Sequence, residues 1–239
     1  METIKVDKLF ALLVAILPGL LYVPIISGNP KRASGQIVGI GLLAGATAGI
    51  TIIVLKSLFL QDVLQPPIKE TLTLTLFVAF IEAGLLEEFF KNGFFLLAIR
   101  FFFPATANEN FALKPYDIFA LGAFVGLGFG LLENANYAFN PELGKLSVLL
   151  DRAYTAIPAH IIMNATFGFL KAKKLNLFLC FAASILIHSV YDFFALPSTL
   201  LGGILLRILL VTGLGFCLWM GKDLLKLSRS LNPQIGYSA

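Results

Sequence analysis

The sequence predicts an all-α fold, a polytopic bundle of transmembrane helices, and three observations carry that reading. Hydrophobic residues make up 58% of the 239 and the mean hydropathy is +0.87, well above the apolar half expected of a soluble domain. Charged residues are only 13% of the chain. They fall mostly in short connections between apolar runs long enough to cross a bilayer. Seven such runs are present, with an eighth left open. No soluble module or domain boundary is visible, so the expectation is one integral membrane domain over residues 1–239, with a motif-bearing core at 72–195 and an interfacial or frayed tail at 221–239.

The first run, Leu9 to Ile26, is preceded by Glu2 and Asp7 as well as Lys5 and Lys8, unlike the clean positive start of a cleavable leader, and is kept as a span. Turn residues Ser27, Gly28, Asn29 and Pro30 end it, followed by Lys31 and Arg32. The second, Gln36 to Leu58, spaces Gly41, Gly45 and Gly49 four apart, which predicts a close helix–helix approach. The third, Leu72 to Ile99, is apolar throughout except for Glu82, Glu87, Glu88 and Lys91. The fourth, Tyr116 to Phe139, repeats the glycine spacing at Gly122, Gly126 and Gly130, then presents Glu133 and Asn134. The fifth, Leu146 to Leu170, carries Arg152, His160 and Asn164, with Pro158 placed to bend or loosen the backbone. The sixth, Leu175 to Leu196, contains His188, Tyr191 and Asp192; the seventh runs from Leu200 to Met220.

If seven spans alternate, Lys31, Arg32, Arg100, Lys114, Lys171, Lys173, Lys174, Lys222, Lys226 and Arg229 share one side. The positive-inside rule makes that side cytoplasmic, so the amino terminus is expected outside and the carboxyl terminus inside. With a net charge of +4 spread over these connections, a nucleic-acid surface is excluded. Cys180 and Cys217 both lie within spans, without the spacing of a disulfide framework or a cysteine zinc site.

Function is concentrated in the third span. An acidic residue at the centre of a membrane helix costs roughly +2.5 to +3.5 kcal/mol on insertion scales, so a span with three of them needs partners. Glu133 and both histidines of the chain, His160 and His188, also lie within spans and are expected to share one cavity with Glu87 and Glu88. Glu87 with Lys91, His160 with Asn164, and His188 with Asp192 are each four apart and so share a helix face. Glu82, about 140° around an α-helix from Glu87, reads as a cavity-edge residue. Arg152 reads as snorkelling or pairing near Asp151 at the span edge.

Carboxylates and imidazoles in low dielectric suit hydrolysis: a base takes a proton from water, polar donors hold the oxyanion and an acid assists the leaving amine. Catalytic candidates are Glu87, Glu88, Glu133, His160 and His188, with Lys91, Asn134, Asn164 and Asp192 in support. The same residues could ligate zinc, but no HExxH spacing is present. The cofactor is therefore none or zinc, with metal-independent glutamate catalysis preferred. A proton- or ion-coupled transporter is the competing class, although no inverted repeat is evident.

EEFFK at 87–91, FGLLEN at 129–134, His160 in PAHIIMNATFG and His188 in HSVYD resemble the successive motifs of the PrsW family of intramembrane proteases. The family is similar to the wider group of CAAX-prenyl endopeptidases and bacterial relatives. Those enzymes carry a histidine where this chain has Glu133, which favours PrsW. The resemblance spans about residues 72–195 and implies a helical membrane protease in a prokaryotic cell membrane, with Glu87 and Glu88 in the motif that supplies catalytic carboxylates. It also implies a membrane-anchored protein substrate, of the anti-sigma-factor kind. Some relatives are inactive scaffolds, which leaves that role as a further alternative.

Overall fold

The computed structural model describes residues 8–27, 35–60, 72–103, 113–140, 144–195 and 200–230, and no strand occurs among them. Ten α-helices follow in order: α1 Lys8–Leu20, α2 Tyr22–Ser27, α3 Gly35–Leu55, α4 Leu72–Phe77, α5 Glu88–Phe102, α6 Pro115–Phe139, α7 Leu146–Tyr154, α8 Ala156–Ala172, α9 Leu177–Ala195 and α10 Leu200–Ser230. Two π-helical stretches adjoin them, Lys56–Leu60 after α3 and Val78–Glu87 between α4 and α5. These elements form seven rods that correspond to the seven expected spans. The polytopic all-α bundle is therefore the fold. The connections holding Lys31, Arg32 and Lys69 lie outside the described residues.

Five rods are long and apolar enough to cross a membrane by length and composition: Lys8–Ser27, Gly35–Leu58, Pro115–Phe139, Leu177–Ala195 and Gly203–Leu227. The other two depart from that pattern for physical reasons. Leu72–Phe102 carries Glu82, Glu87, Glu88 and Lys91. The α7–α8 rod is interrupted at Thr155, leaving α8 with 17 residues, about 25 Å of rise. Pro158 explains the interruption: a proline ring excludes the carbonyl four residues earlier, here that of Tyr154, so the helix restarts just after it. Pro24 and Leu20 stand in the same relation at the break between α1 and α2. The expected tail from Gly221 continues α10 unbroken to Ser230.

The core sits around α6, which packs chiefly between α3 and α8. Two glycine stripes make this possible. A Cβ on Gly45 of α3 would collide with the backbone carbonyl of Val125, and one on Gly126 of α6 with that of His160. The sequence places both glycines in four-residue stripes, and the backbones meet along them. Large apolar side chains elsewhere point outward, among them Leu13 and Leu17 on α1 and Val211 and Leu218 on α10, as a lipid-facing surface requires. At the start of α6, the Tyr116 hydroxyl donates to the Ile26 carbonyl at 2.8 Å and ties the rod of α1 and α2 to the centre.

Candidate functional site

Four rods bring the polar residues of the spans together. α5 and the π stretch before it supply Glu82, Glu87, Glu88, Lys91 and Asn92; α6 supplies Glu133; the α7–α8 rod supplies Arg152 and His160; α9 supplies Ser184, His188 and Asp192. Glu87, Glu88, Lys91, His160 and His188 are all buried. The rings of His160 and His188 meet edge to face with centroids 5.4 Å apart.

The two sides of these rings differ. On the Nδ1 side, Lys91 Nζ lies 3.1 Å from His160 Nδ1 and 2.5 Å from Glu88 Oε1, while His188 Nδ1 lies 2.8 Å from the same Glu88 oxygen. On the Nε2 side, His160 faces Glu133 Oε2 at 2.9 Å, and His188 faces Asp192 Oδ2 at 3.3 Å and Glu87 Oε2 at 3.8 Å. An ammonium only donates, so His160 Nδ1 accepts from Lys91 and the Nε2 proton goes to Glu133. A carboxylate only accepts, so His188 donates from Nδ1 to Glu88. Its Nε2 likewise faces acceptors, the carboxylates of Asp192 and Glu87. Like-signed groups at such distances call for a cation between them, a proton or a metal ion.

Glu88 and Lys91 are completely buried and form the floor. Behind them, Asn92 Nδ2 donates to Glu88 Oε2 at 3.2 Å and to Ser184 Oγ at 2.9 Å, and Asn164 Nδ2 donates to Asn92 Oδ1 at 2.9 Å. A buried ion pair persists only when its remaining hydrogen-bonding capacity is met, and this network meets it. At one rim, Arg152 Nη2 lies 2.7 Å from Glu133 Oε2, its Nε donates to Asn134 Oδ1 at 3.1 Å, and its guanidinium carbon sits 3.7 Å from the centre of the Tyr137 ring. Asn134 in turn donates to the Ala15 carbonyl at 3.3 Å. At the other rim, Lys56 Nζ lies 3.0 Å from Glu82 Oε1 and 3.6 Å from Glu87 Oε1.

The structure thus brings Glu87, Glu88, Glu133, His160, His188, Lys91 and Asp192 into one cluster. Several sequence expectations change in detail. Lys91 pairs with Glu88, three residues before it, rather than with Glu87. Glu82 and Glu87 lie within reach of one lysine instead of facing apart, because the π stretch alters the rotation between them. Arg152 reaches into the cluster rather than snorkelling or pairing near Asp151. Asn164 turns to Asn92, and Asn134 serves Arg152, so neither bonds a histidine. Sequence reasoning missed Asn92, Lys56 and Ser184 as members. The available signal was spacing: Asn92 follows Glu88 by four, and Ser184 precedes His188 by four.

One carboxylate oxygen of Glu87 and one ring nitrogen each from His160 and His188 lie within 4.8 Å of one another, close enough to share a metal ion. Charge is compatible with this. Glu82, Glu87, Glu88, Glu133 and Asp192 face Lys56, Lys91 and Arg152, an excess of two carboxyl groups that protons or a metal ion can balance.

A family model described as PrsW family intramembrane metalloprotease matches residues 34–220, which include every motif above. The chain is 29% identical to a protein named Protease PrsW from Clostridioides difficile strain 630 over 199 residues, 78% of this chain and 79% of that one. It is 31% identical to a Bacillus subtilis strain 168 protein of the same name over 152 residues, 59% of this chain and 64% of that one. No solved structure matches it significantly. Nothing in these comparisons supports a transporter. A helical membrane bundle with buried carboxylates and histidines, matched over most of its length by these proteases, is an intramembrane protease, and the chain belongs to the PrsW family.

Proposed function

We propose that the chain hydrolyses peptide bonds of membrane-anchored protein substrates at the cluster of Glu87, Glu88, Glu133, His160 and His188, with a divalent ion, zinc by ligand chemistry, held by Glu87, His160 and His188. The observation that carries this reading is the convergence of those three ligand groups from three rods within 4.8 Å of one another. Two histidines and one glutamate are an established catalytic zinc set. The sequence preference for metal-free catalysis rested on the missing HExxH motif and on the pairing of Glu87 and Glu88 beside Lys91; the convergence of Glu87, His160 and His188 supports the metal reading without that motif. The excess of carboxyl groups over lysine and arginine in the cluster, and the His188 Nε2 edge turned toward Asp192 and Glu87, are also compatible with a divalent cation.

When bound, such an ion supplies Lewis acidity to water and to the scissile carbonyl. Glu88 accepts from His188 Nδ1 and so presents Nε2 as the free ligand, a role in which an outer carboxylate fixes tautomer and ring orientation. His160 has the opposite tautomer while Lys91 donates to its Nδ1, so ligation through Nε2 and the Lys91 bond exclude one another. Glu133, on the partly open side, is placed to take a proton from water and return it to the departing amine, and Arg152 beside it has donors to spare for the oxyanion. Burial of the floor keeps bulk water from the pair of Glu88 and Lys91. One membrane domain, with the amino terminus outside and the carboxyl terminus cytoplasmic in a prokaryotic cell membrane, completes the reading; the substrate class is that of an anti-sigma-factor-like membrane protein.

The test is cleavage of a single-span helical substrate in lipid nanodiscs, with bound metal measured on the same samples. Chelator-stripped protein should lose cleavage and recover it with zinc, and Glu87→Ala or Glu88→Ala should lose about 10²- to 10⁴-fold. Full cleavage by metal-free protein establishes metal-independent glutamate catalysis instead. Wild-type turnover in Glu87→Ala removes the site.

A further inference from the structure

The pair of Lys56 and Glu82 is outside the four motifs, yet it touches the cluster. In an α-helix Glu82 and Glu87 would lie about 140° apart and could not share a partner on one side. The stretch Val78–Glu87 is π-helical. Bonding from i to i+5 brings residues five apart toward one face. Both carboxylates accordingly reach Lys56, which itself opens the second π stretch, Lys56–Leu60. A ten-residue π-helix is long for a form seen mostly as single turns, frequently at functional sites.

The two oxygens of Glu87 are divided between two neighbours. Oε1 lies 3.6 Å from Lys56 Nζ and Oε2 lies 3.8 Å from His188 Nε2. Glu82 holds Lys56 from the other side at 3.0 Å. Side-chain exposure falls from 31% at Lys56 and 20% at Glu82 to 10% at Glu87 and zero at Glu88, so the pair stands at the rim and Glu87 bridges rim and floor. A pair needed only for charge neutrality could sit anywhere along the span. This one is applied to a single oxygen of a carboxylate whose other oxygen faces the histidine.

We propose that Lys56 and Glu82 are positioning residues for peptide-bond cleavage: Glu82 anchors Lys56, and Lys56 holds the outer oxygen of Glu87 so that the inner oxygen faces His188. The proposal rests on the reading of Glu87 as a member of the hydrolytic site. Lys56 touches neither histidine. Its action is on the rotamer of Glu87 and therefore on the geometry that Glu87 offers to a metal ion or to water.

The experiment compares Lys56→Gln, Lys56→Arg, Glu82→Gln, the double variant Lys56→Gln/Glu82→Gln and Glu87→Gln in lipid nanodiscs. Three quantities are read: kcat and KM for a single-span substrate, zinc affinity of the stripped protein by competition with a chelator, and melting temperature. Lys56→Gln should lower kcat and weaken zinc about 10- to 100-fold, the range for partners that orient a ligand, with KM within about twofold. Lys56→Arg should restore most of both. Glu82→Gln should shift both in the same direction by less, and the double variant should be no worse than Lys56→Gln, since Glu82 acts through the lysine. Wild-type kcat and zinc affinity in Lys56→Gln, with Glu87→Gln inactive, overturns the positioning role and leaves the site intact. A loss in Lys56→Gln that follows the melting temperature and is not restored by arginine also overturns it. Wild-type turnover in Glu87→Gln instead overturns the site on which the proposal rests.

Discussion

Gly126→Ala tests whether the approach of α6 to α8 sets the position of His160. The added Cβ would fall against the His160 carbonyl oxygen, with the carbonyl carbon at 2.6 Å and the Ile161 nitrogen at 2.9 Å, where ordinary contact begins near 3.4 Å. All three are backbone atoms, so no side chain can swing aside, and the helices have to part by about 1 Å in an interior packed to crystal density. His160 moves with its backbone, away from Glu133 at 2.9 Å and His188 across the cluster. Overpacking of this kind costs about 1–3 kcal/mol, which leaves the bundle folded. A misplacement of about 1 Å in a catalytic group costs on the order of 10²-fold in rate. Cleavage of a single-span substrate in nanodiscs should thus fall about 100-fold while the melting temperature drops only a few degrees. Gly39→Ala, whose Cβ meets nothing within 4 Å, is the control and should be silent. If Gly126→Ala cleaves within twofold of wild type, the helix approach does not set the catalytic geometry.

Glu133→Gln and Arg152→Met should each destabilise the protein by about 1–2 kcal/mol, between the values for exposed and buried pairs, and a double-mutant cycle should show coupling of at least about 0.5 kcal/mol; additivity would mean that the 2.7 Å pair is idle. Gly84→Ala places a Cβ against the Ser189 hydroxyl of α9 and should lower the melting temperature, with Ser189→Gly recovering much of the loss; no recovery would place the obstacle in the backbone carbonyls of Ala79 at 3.0 Å and Ile185 at 3.2 Å. Reporter fusions after Arg32 and Lys174 should both report cytoplasm, and an external reporter at either position refutes the proposed orientation.

The spans were legible because membrane insertion imposes length and apolarity on each one, and the glycine stripes because four-residue spacing has a single geometric meaning on a helix. Convergence of Glu87, Glu133, His160 and His188 was legible from energetic cost, since each is expensive in lipid alone. What spacing could not give is the partner of each group. Lys91 chose Glu88, and Glu82 joined Glu87 on Lys56, because a π stretch interrupts the α-helical rotation that spacing arguments assume. Arg152 was misplaced because its long stem reaches Glu133 on the neighbouring α6. Asn92 and Ser184 carry no charge, so cost gave no warning of them.

The pairing of Lys91 with Glu88 inside one span has a consequence for biosynthesis. Synthesis is vectorial: Arg152, His160 and His188 are made well after the third span leaves the ribosome. Until they arrive, every charge in that span would meet lipid alone at roughly +2.5 to +3.5 kcal/mol each. The order of the chain removes most of that difficulty. Lys91 and Glu88 neutralise each other within a single turn, and Lys56, which bridges Glu82 and Glu87, belongs to the preceding rod and is already in the bilayer. The most heavily charged segment thus enters the membrane with a counter-charge for nearly every group. Glu133, which enters later and ahead of Arg152, must wait for its cation.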